Sequence, residues 1–469
     1  MQFLFYDLET SGLQKAHDQV LQFAAIRCDE NLNQLETPSN LFCRPRNDLF
    51  PSPGAILANR LDLRQCQRQG LKEYDFAMEA HQVLQQPNTY IAGYNSKKFD
   101  DEFIRFLMYR NLMDPYRWGW DGGNKRTDVM DQVLLAHVFG RDVGLKFPVV
   151  DQMVSLKLEH IAEDNRFTAR NHHDALNDAT NTRGIVEVIR THQPKLFDYV
   201  LSMVDEEANK NMIRNEELFC HVSTIYGYAN NCISVQKFLC FHPLMKKRLL
   251  TWNLAQDPTE LLKRSPEEIA ENLYRTKEQK VFEIGFQEIS LNQSPLVVKY
   301  NLKQTEPAVD KELIQTNLQK FQQVEKSLRD LAYATYRIQS EPQEQDVDGG
   351  LYDSTFFQDR NQSIRLLETL LMKPLEFDHR EIQNRRFSEL LLRFQGRNFY
   401  KEMSVENKEA FDQYRRAKLL NTEDVEWMTH QRFEREMAEL QRTQRLSSEQ
   451  EVILGHLTKH VQRIVEEIA

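Results

Sequence analysis

The sequence predicts a chain of several domains. An α/β domain with a mixed sheet comes first, a small all-β module follows, and a helical region closes the chain. Three observations predict this order. Strand and helix signals alternate over residues 1–190. Short β-branched and aromatic runs, split by turn residues, fill 194–340. From Leu351 onward long helical patterns dominate. A length of 469 residues agrees with about three domains.

In the first region "FLFYDL", "VLQFAAIRC" and "NTYIAGYN" read as strands. "EYDFAMEAHQVLQQ", "DDEFIRFLMYRNL", "DVMDQVLLAHVF" and "HDALNDATNTRGIVEVIRTH" have helical spacing. The middle region offers "LFCHVSTIYGY", "CISVQKFLCF", "RLLTWNL", "KVFEIGFQEIS" and "PLVVKYNL" as strands, then a helix over about 310–338. "SEPQEQDVDGG" (340–350), polar with Pro and paired Gly, reads as a linker. Beyond it "REIQNRRFSELLLRF", "DVEWMTHQRFEREMAELQ" and "QEVILGHLTKHVQRIVEEI" read as helices, with Ser448 and Glu451 as a capping box for the last.

Composition bounds the function. The chain is 41% hydrophobic and has no run of about 18 apolar residues, so no membrane-spanning helix is expected. A strand pattern follows Met1 at once, without the basic start of a signal peptide. The six cysteines are scattered and form no C-x-x-C, which reads as reduced thiols in a cytoplasmic protein. A net charge of −10 argues against a simple nucleic-acid binder. A local basic groove can still sit on an acidic chain, and a carboxylate metal site adds negative charge that cations neutralise.

The chemistry is carried by acids. Side chains alternate along a strand, so Asp7 and Glu9 in "FLFYDLETSG" face the same way, roughly 7 Å apart. Taken singly, this D-x-E reads as a strand end meeting water. Asp100 or Asp101 in "GYNSKKFDDEF" reads as a helix N-cap. In "NHHDALNDAT", His173 reads as a loop residue and Asp178 as a solvated position on a helix beginning near Asp174. The combination says more. A D-x-E on a first strand, an N-x-x-x-F-D at a strand–helix junction and an H-x-x-x-x-D opening a late helix occur in that order in one α/β region. Hard divalent cations favour such carboxylate oxygens. Two of them, about 3.5–4 Å apart, clamp the attacking and leaving oxygens of a phosphodiester displacement. A histidine titrating near neutral pH suits the general base. His172 is the neighbour to reject, since its spacing to Asp178 is one residue too long for the motif of the superfamily that this pattern resembles.

This three-part pattern resembles the DEDDh exonuclease superfamily. Longer passages are similar to the bacterial exonuclease I family: "LQFAAIRCDENLN", "GYNSKKFDDEFIRFLMYRNLMDPYRWGW", "HDALNDATNTRGIVEVIRTHQPKLFDYVL", "HVSTIYGYANN", "LYDSTFF" and "LLLRFQGRNFY". The resemblance spans nearly the whole chain. It implies a ribonuclease H-like exonuclease domain with a mixed sheet (1–190), an SH3-like β-barrel domain (194–340) and an all-helical C-terminal domain (351–469). It implies processive 3′→5′ hydrolysis of single-stranded DNA to 5′-mononucleotides, with the accessory domains closing a groove over the active site, and a place in DNA repair and recombination.

The resemblance also implies roles. Asp7, Glu9, Asp100 and Asp178 would hold two Mg²⁺ ions, with Mn²⁺ as an alternative, and Glu9 would also lie near the substrate's 3′ end. His173 would be the general base. Arg105, Lys157, Tyr116 and Trp120 would lie along the DNA path, the cations on phosphates and the rings on unpaired bases. Packing is the other reading for Tyr116, Trp118 and Trp120. The implied partner besides DNA is the C-terminal tail of single-stranded DNA-binding protein, with Arg141 and Tyr199 near its dock. A cytoplasmic bacterial monomer is expected. The chain departs from the family pattern at Lys157, where Arg is usual and bidentate phosphate geometry is lost. It departs again at Tyr6, in place of a histidine, and in a short stretch between Phe139 and Val154. The basic runs "MKKR" (245–248) and "NRR" (384–386) either line the groove or are solvated. Two other readings stand beside this one: an exoribonuclease or proofreading-type exonuclease, and a non-catalytic scaffold for single strands.

Overall fold

The computed structural model describes residues 1–140, 142–167, 174–228, 231–300, 310–338, 346–352 and 360–469. They fall into two compact units. The first takes Met1–Asp128, Thr168–Arg183 and Pro342–Ala469; the second takes Val129–Phe167 and Gly184–Glu341.

The first unit is built on a mixed sheet of order β3-β2-β1-β4-β5. Its strands are β1 (Gln2–Thr10), β2 (Val20–Cys28), β3 (Ser39–Phe42), β4 (Thr89–Gly93) and β5 (Lys125–Asp128). β1 lies at the centre, antiparallel to β2 and parallel to β4. Both of its faces are covered, which is why its apolar residues run almost unbroken. Leu4, Tyr6 and Leu8 share a core with Phe23, Phe103, Ile104 and Leu107. On the other face Phe3 stacks with Phe5 and Tyr90. β5 is different. Its sequence "KRTD" carries no apolar residue, and it is a strand because it completes the sheet beside β4. Pairing there overrides local preference.

Helices α1 (Pro53–Asn59), α2 (Leu63–Gln69), α3 (Glu73–Leu84) and α4 (Asp100–Arg110) follow in the first unit, α5 (Val129–Phe139) and α6 (Leu158–Asp164) in the second, and α7 (Ala175–His192) begins in the first. α4 buries Phe103, Ile104, Leu107 and Met108 against the sheet. The C-terminal helices have one small core of their own, of Leu392, Met403 and Phe411, and otherwise share cores with the N-terminal domain. Leu419, Phe433, Leu457, Val461 and Ile464 pack with Leu21, Phe50, Ile56 and Leu57. Leu367, Phe387 and Leu390 pack with Phe106, Tyr109 and Leu112.

The second unit holds an antiparallel sheet of order β11-β10-β9-β8-β12, from β8 (Phe219–Val222), β9 (Ile233–Phe241), β10 (Arg248–Asn253), β11 (Phe286–Ser290) and β12 (Val297–Lys299). A short hairpin, β6 (Val149–Val150) and β7 (Met153–Val154), and a long helix, Lys311–Thr335, belong to it as well. Asp310 caps that helix by accepting from the Leu313 N–H at 3.0 Å. The expected α/β, all-β and all-helical order is therefore present. Among the described residues no helix is long and apolar enough to cross a membrane, and all six cysteines are free thiols.

Three local readings need correction. The last helix is capped by Ser447 with Gln450, one residue before the expected pair: Ser447 Oγ accepts from the Gln450 N–H, and Gln450 Oε1 accepts from the Ser447 N–H at 2.9 Å. Neither Asp100 nor Asp101 is an N-cap; Phe99 holds that position without a side-chain bond, and both acids are buried in the first turn. The polar stretch read as a linker carries a 3-10 turn, Val347–Tyr352, in which Asp348 is fully buried.

Asp348 explains itself through its partners. Arg397 Nη2 lies 2.6 Å from Asp348 and 2.7 Å from Asp48. Arg393 reaches Asp346 at 2.8 Å and Asp348 at 3.1 Å, and Arg46 reaches Asp48 at 3.1 Å. The network ties the N-terminal domain to the C-terminal helices inside the first unit. Despite the cost of burial, the surrounding Arg397, Arg393, Arg46 and Lys418 cations hold the Asp48 and Asp348 carboxyls below the usual carboxylate range. Breaking a buried pair on one side costs about 3–5 kcal/mol. Asp348→Ala should therefore lower stability to chemical denaturation by about that amount. A group with a lowered folded-state pKa contributes fully above its unfolded value, near about 4, and loses the contribution as pH falls below it. The Tm advantage of wild type over Asp348→Asn should accordingly be constant near neutrality and shrink below about pH 4 in a pH series of thermal melts.

Candidate active site

The site lies where the parallel strands β1 and β4 end. Asp7 and Glu9 sit opposite Ala24 and Gln22 of β2, and the pairing register slips immediately after Glu9. Such a bulge bends the strand and re-aims the side chain beside it. Gln22, buried opposite Glu9, donates to Asn40 at 2.9 Å and to Asp174 at 3.5 Å.

Asp100 arrives from the turn between β4 and α4. That turn is tight: a Cβ on Gly93 would come within 2.5 Å of the Ser96 side chain, and Asn95 is left-handed at φ 56°. Asp128, at the end of β5, holds the turn by accepting from the backbone N–H of Asn95 at 2.7 Å and of Lys97 at 3.2 Å. The Asp100 carboxylate in turn accepts from the backbone N–H of Leu8, between the two strand acids.

Asp178 stands in the first turn of α7, which Asp174 starts by accepting from the N–H groups of Leu176 (3.1 Å) and Asn177 (3.3 Å). Ligand oxygens of Asp7, Glu9 and Asp178 all come within 4.8 Å of one another. Asp100 is outside that group of three, yet its charge acts on both Asp7 and Glu9.

The electrostatics are those of like charges held together. Burial raises the Asp7 pKa well above the carboxylate range, and Asp100, Asp178 and Glu9 push it further. Burial, then Asp178 and Asp100, raise Glu9. Burial, then Asp101, raise Asp100. Among the described residues the strongest charged neighbours of Asp7 and Glu9 are all acids. Repulsion of this kind is relieved by protons or by cations. Three clustered carboxylates in a partly open site fit a hard divalent cation, which takes oxygen ligands and keeps several waters.

The other expected residues divide. His173, its rejected neighbour His172, and Arg141 lie outside the described residues. Arg105 is held: it pairs with Glu102, donates to the Tyr352 hydroxyl at 3.2 Å and stacks 5.6 Å from the Tyr116 ring centre. Trp118 is packed in the core at 1% exposure, whereas Trp120 is 60% exposed. Lys157, in the second unit, precedes α6 with an exposed side chain 3.7 Å from Glu159. Tyr199 donates to the Val297 carbonyl at 2.5 Å and packs against Met203, Ile213 and Leu249, and burial raises its pKa to about 12. The basic runs are largely engaged. Lys247 pairs with Glu206 at 2.8 Å, Arg248 with Glu288 at 2.5 Å and Arg385 with Glu389 at 2.9 Å, while Arg386 donates to the Gly350 carbonyl at 2.9 Å.

Reading the sequence did not single out Asp128 or Asp174 as supports of the site. The one available signal was an acid ending a strand or preceding a helix beside each motif.

This sheet and acid cluster define the class. Residues 4–186 match the family model described as Exonuclease, so the chain is an enzyme of the nuclease class. Residues 205–337 match the Exonuclease I SH3-like domain and 345–464 the Exonuclease I C-terminal domain. The chain belongs to the exonuclease I family. It is 29% identical to Exodeoxyribonuclease I of Haemophilus influenzae over 432 residues, which covers 89% of this chain and 90% of that one. Exonuclease I from Methylocaldum szegediense superposes with a TM-score of 0.89 at 28% identity, over 100% of both chains. Escherichia coli Exonuclease I in complex with a dA16 oligonucleotide superposes with a TM-score of 0.88 at 27% identity, over 99% of each.

Proposed function

We propose that this chain is a divalent-metal-dependent exonuclease that degrades single-stranded DNA from its 3′ end, processively, releasing 5′-mononucleotides. The observation that carries the reading is the convergence of Asp7, Glu9 and Asp178 to within 4.8 Å at the end of the central strand, with Asp100 acting on them. The likeness to an exonuclease I–oligonucleotide complex supports the substrate.

Asp7, Glu9 and Asp178 would hold one Mg²⁺, and Asp100 would complete a site for a second, with Mn²⁺ able to replace either. Bound there, the ions supply charge neutralisation for the attacking and leaving oxygens of the phosphodiester. Glu9 also lies near the 3′ end. His173, five residues before Asp178, takes the proton of the attacking water. Trp120 has the exposed ring needed to stack an unpaired base, with Tyr116 beside it in sequence. Arg105 and Lys157 supply positive charge for phosphates.

Tyr199 and Arg141 belong to a dock for the acidic–apolar tail of single-stranded DNA-binding protein. An ExoI/SSB-Ct complex, which this chain matches with a TM-score of 0.86, supports that partner. The role served is DNA repair and recombination in the bacterial cytoplasm.

A time course on 3′- and 5′-labelled oligonucleotides tests substrate and polarity together. Label at the 3′ end should be released first as mononucleotide, from single-stranded DNA in strong preference to duplex or RNA. Comparable rates on RNA would refute the substrate assignment. Asp7→Ala should abolish digestion while circular dichroism and single-strand binding stay close to wild type. Digestion at the wild-type rate would refute the assignment of the acids.

A further inference from the structure

α4 begins without the usual cap, since Phe99 makes no side-chain bond to the first turn. Something else must fix where that turn sits, because Asp100 is its first residue. Two contacts with β1 do so. Asp100 accepts from the Leu8 N–H, and Asp101 accepts from the Tyr6 hydroxyl at 2.5 Å. Tyr6 and Leu8 point to the core face of β1, on which α4 packs, and Asp7 and Glu9 point to the other.

Asp101 has a second partner. Arg126 of β5 forms an ion pair with its other carboxylate oxygen. Arg126 is itself placed by packing: its guanidinium lies 5.8 Å from the centre of the buried Trp118 ring. A Cβ on Gly119 would come within 2.8 Å of the Arg126 chain, so the space for this arginine depends on a glycine there. The result is a chain of contacts, Tyr6–Asp101–Arg126–Trp118, running under the first turn of α4 and buried except at the half-buried Arg126. Both carboxylate oxygens of Asp101 are engaged on that side, which leaves Asp100 turned toward Leu8 and the acids of the site.

We infer that Tyr6, with Asp101 and Arg126, is a positioning device for the metal site: it fixes the first turn of α4 so that Asp100 is presented to the cations held by Asp7, Glu9 and Asp178. The inference rests on the metal-dependent reading of that site. Tyr6 touches neither substrate nor cation; it acts through Asp101. Arg126 also pairs with Asp101, whose charge acts on Asp100, and so offsets part of that repulsion.

Tyr6→Phe removes one hydroxyl and keeps the ring that fills the core. Mn²⁺ binding to the full chain, measured by calorimetry, is the first readout; kcat and KM on a single-stranded oligonucleotide are the second. Loss of an outer support of a metal ligand costs about tenfold or more in affinity. Tyr6→Phe should weaken Mn²⁺ binding and lower kcat by about tenfold, with KM for the oligonucleotide changed by less than about twofold. Asp101→Asn should do the same, and the double variant should be no worse than Asp101→Asn alone, since both act through one contact. Wild-type Mn²⁺ binding by Tyr6→Phe overturns the inference, whether or not its Tm falls, because Tyr6 would then serve packing alone. Additive losses in the double variant overturn it too. A wild-type chain that neither binds Mn²⁺ nor digests single strands refutes the underlying metal reading, and the positioning role with it.

Discussion

Mutual repulsion among crowded acids is the constraint on which this structure turns. Asp7 and Glu9 share one face of β1, and α7 brings Asp178 to within 4.8 Å of them. Among the described residues the strongest charged neighbours of Asp7 and Glu9 are acids, which add to this repulsion. A fold keeps such an arrangement only where the rest of the molecule over-determines it. Here β1 sits at the centre of the sheet with both faces covered, and the turns that deliver Asp100 and Asp178 are pinned by Asp128 and Asp174. The strain and the function have one origin, because a cavity of like charge is what a divalent cation neutralises.

The C-terminal helices contribute to the same end from a distance. They share two apolar cores with the N-terminal domain, and the Asp48–Arg397–Asp348 contacts tie the two at full burial. Ion pairs of this kind add little net energy over an apolar replacement, yet they tolerate only one geometry. Tyr352, at the end of the turn that carries Asp348, donates to Glu102 and accepts from Arg105 on α4. The helix that supplies Asp100 is thus held at its start by Tyr6 and along its length by the C-terminal segment.

Much of this was legible in the sequence, and the exceptions share a cause. β1, β2 and β4 are buried strands with long apolar runs, and their positions follow from the runs alone. The acids could be read because three motifs, each ordinary alone, occur in one order in one α/β region. β5 was not legible: "KRTD" has no apolar pattern, and only its neighbour makes it a strand. Asp348 was not legible either, since a residue buried by ion pairs in a Pro- and Gly-containing stretch looks like a solvated linker. Asp101 beside Asp100 looked like a cap, and its contact with Tyr6 spans residues far apart in sequence. Apolar periodicity reports burial; it carries no signal for polar groups buried against one another.

The central claim is that the acids of β1, α4 and α7 repel one another until divalent cations are bound. Thermal melts of wild type and Asp7→Asn, with and without Mg²⁺, test it most directly. The account predicts that in cation-free buffer Asp7→Asn melts above wild type, because a repelling charge is gone. Added Mg²⁺ should raise the wild-type Tm and leave the variant nearly unmoved. A wild-type Tm indifferent to Mg²⁺, together with a variant that melts below it in cation-free buffer, would contradict the account.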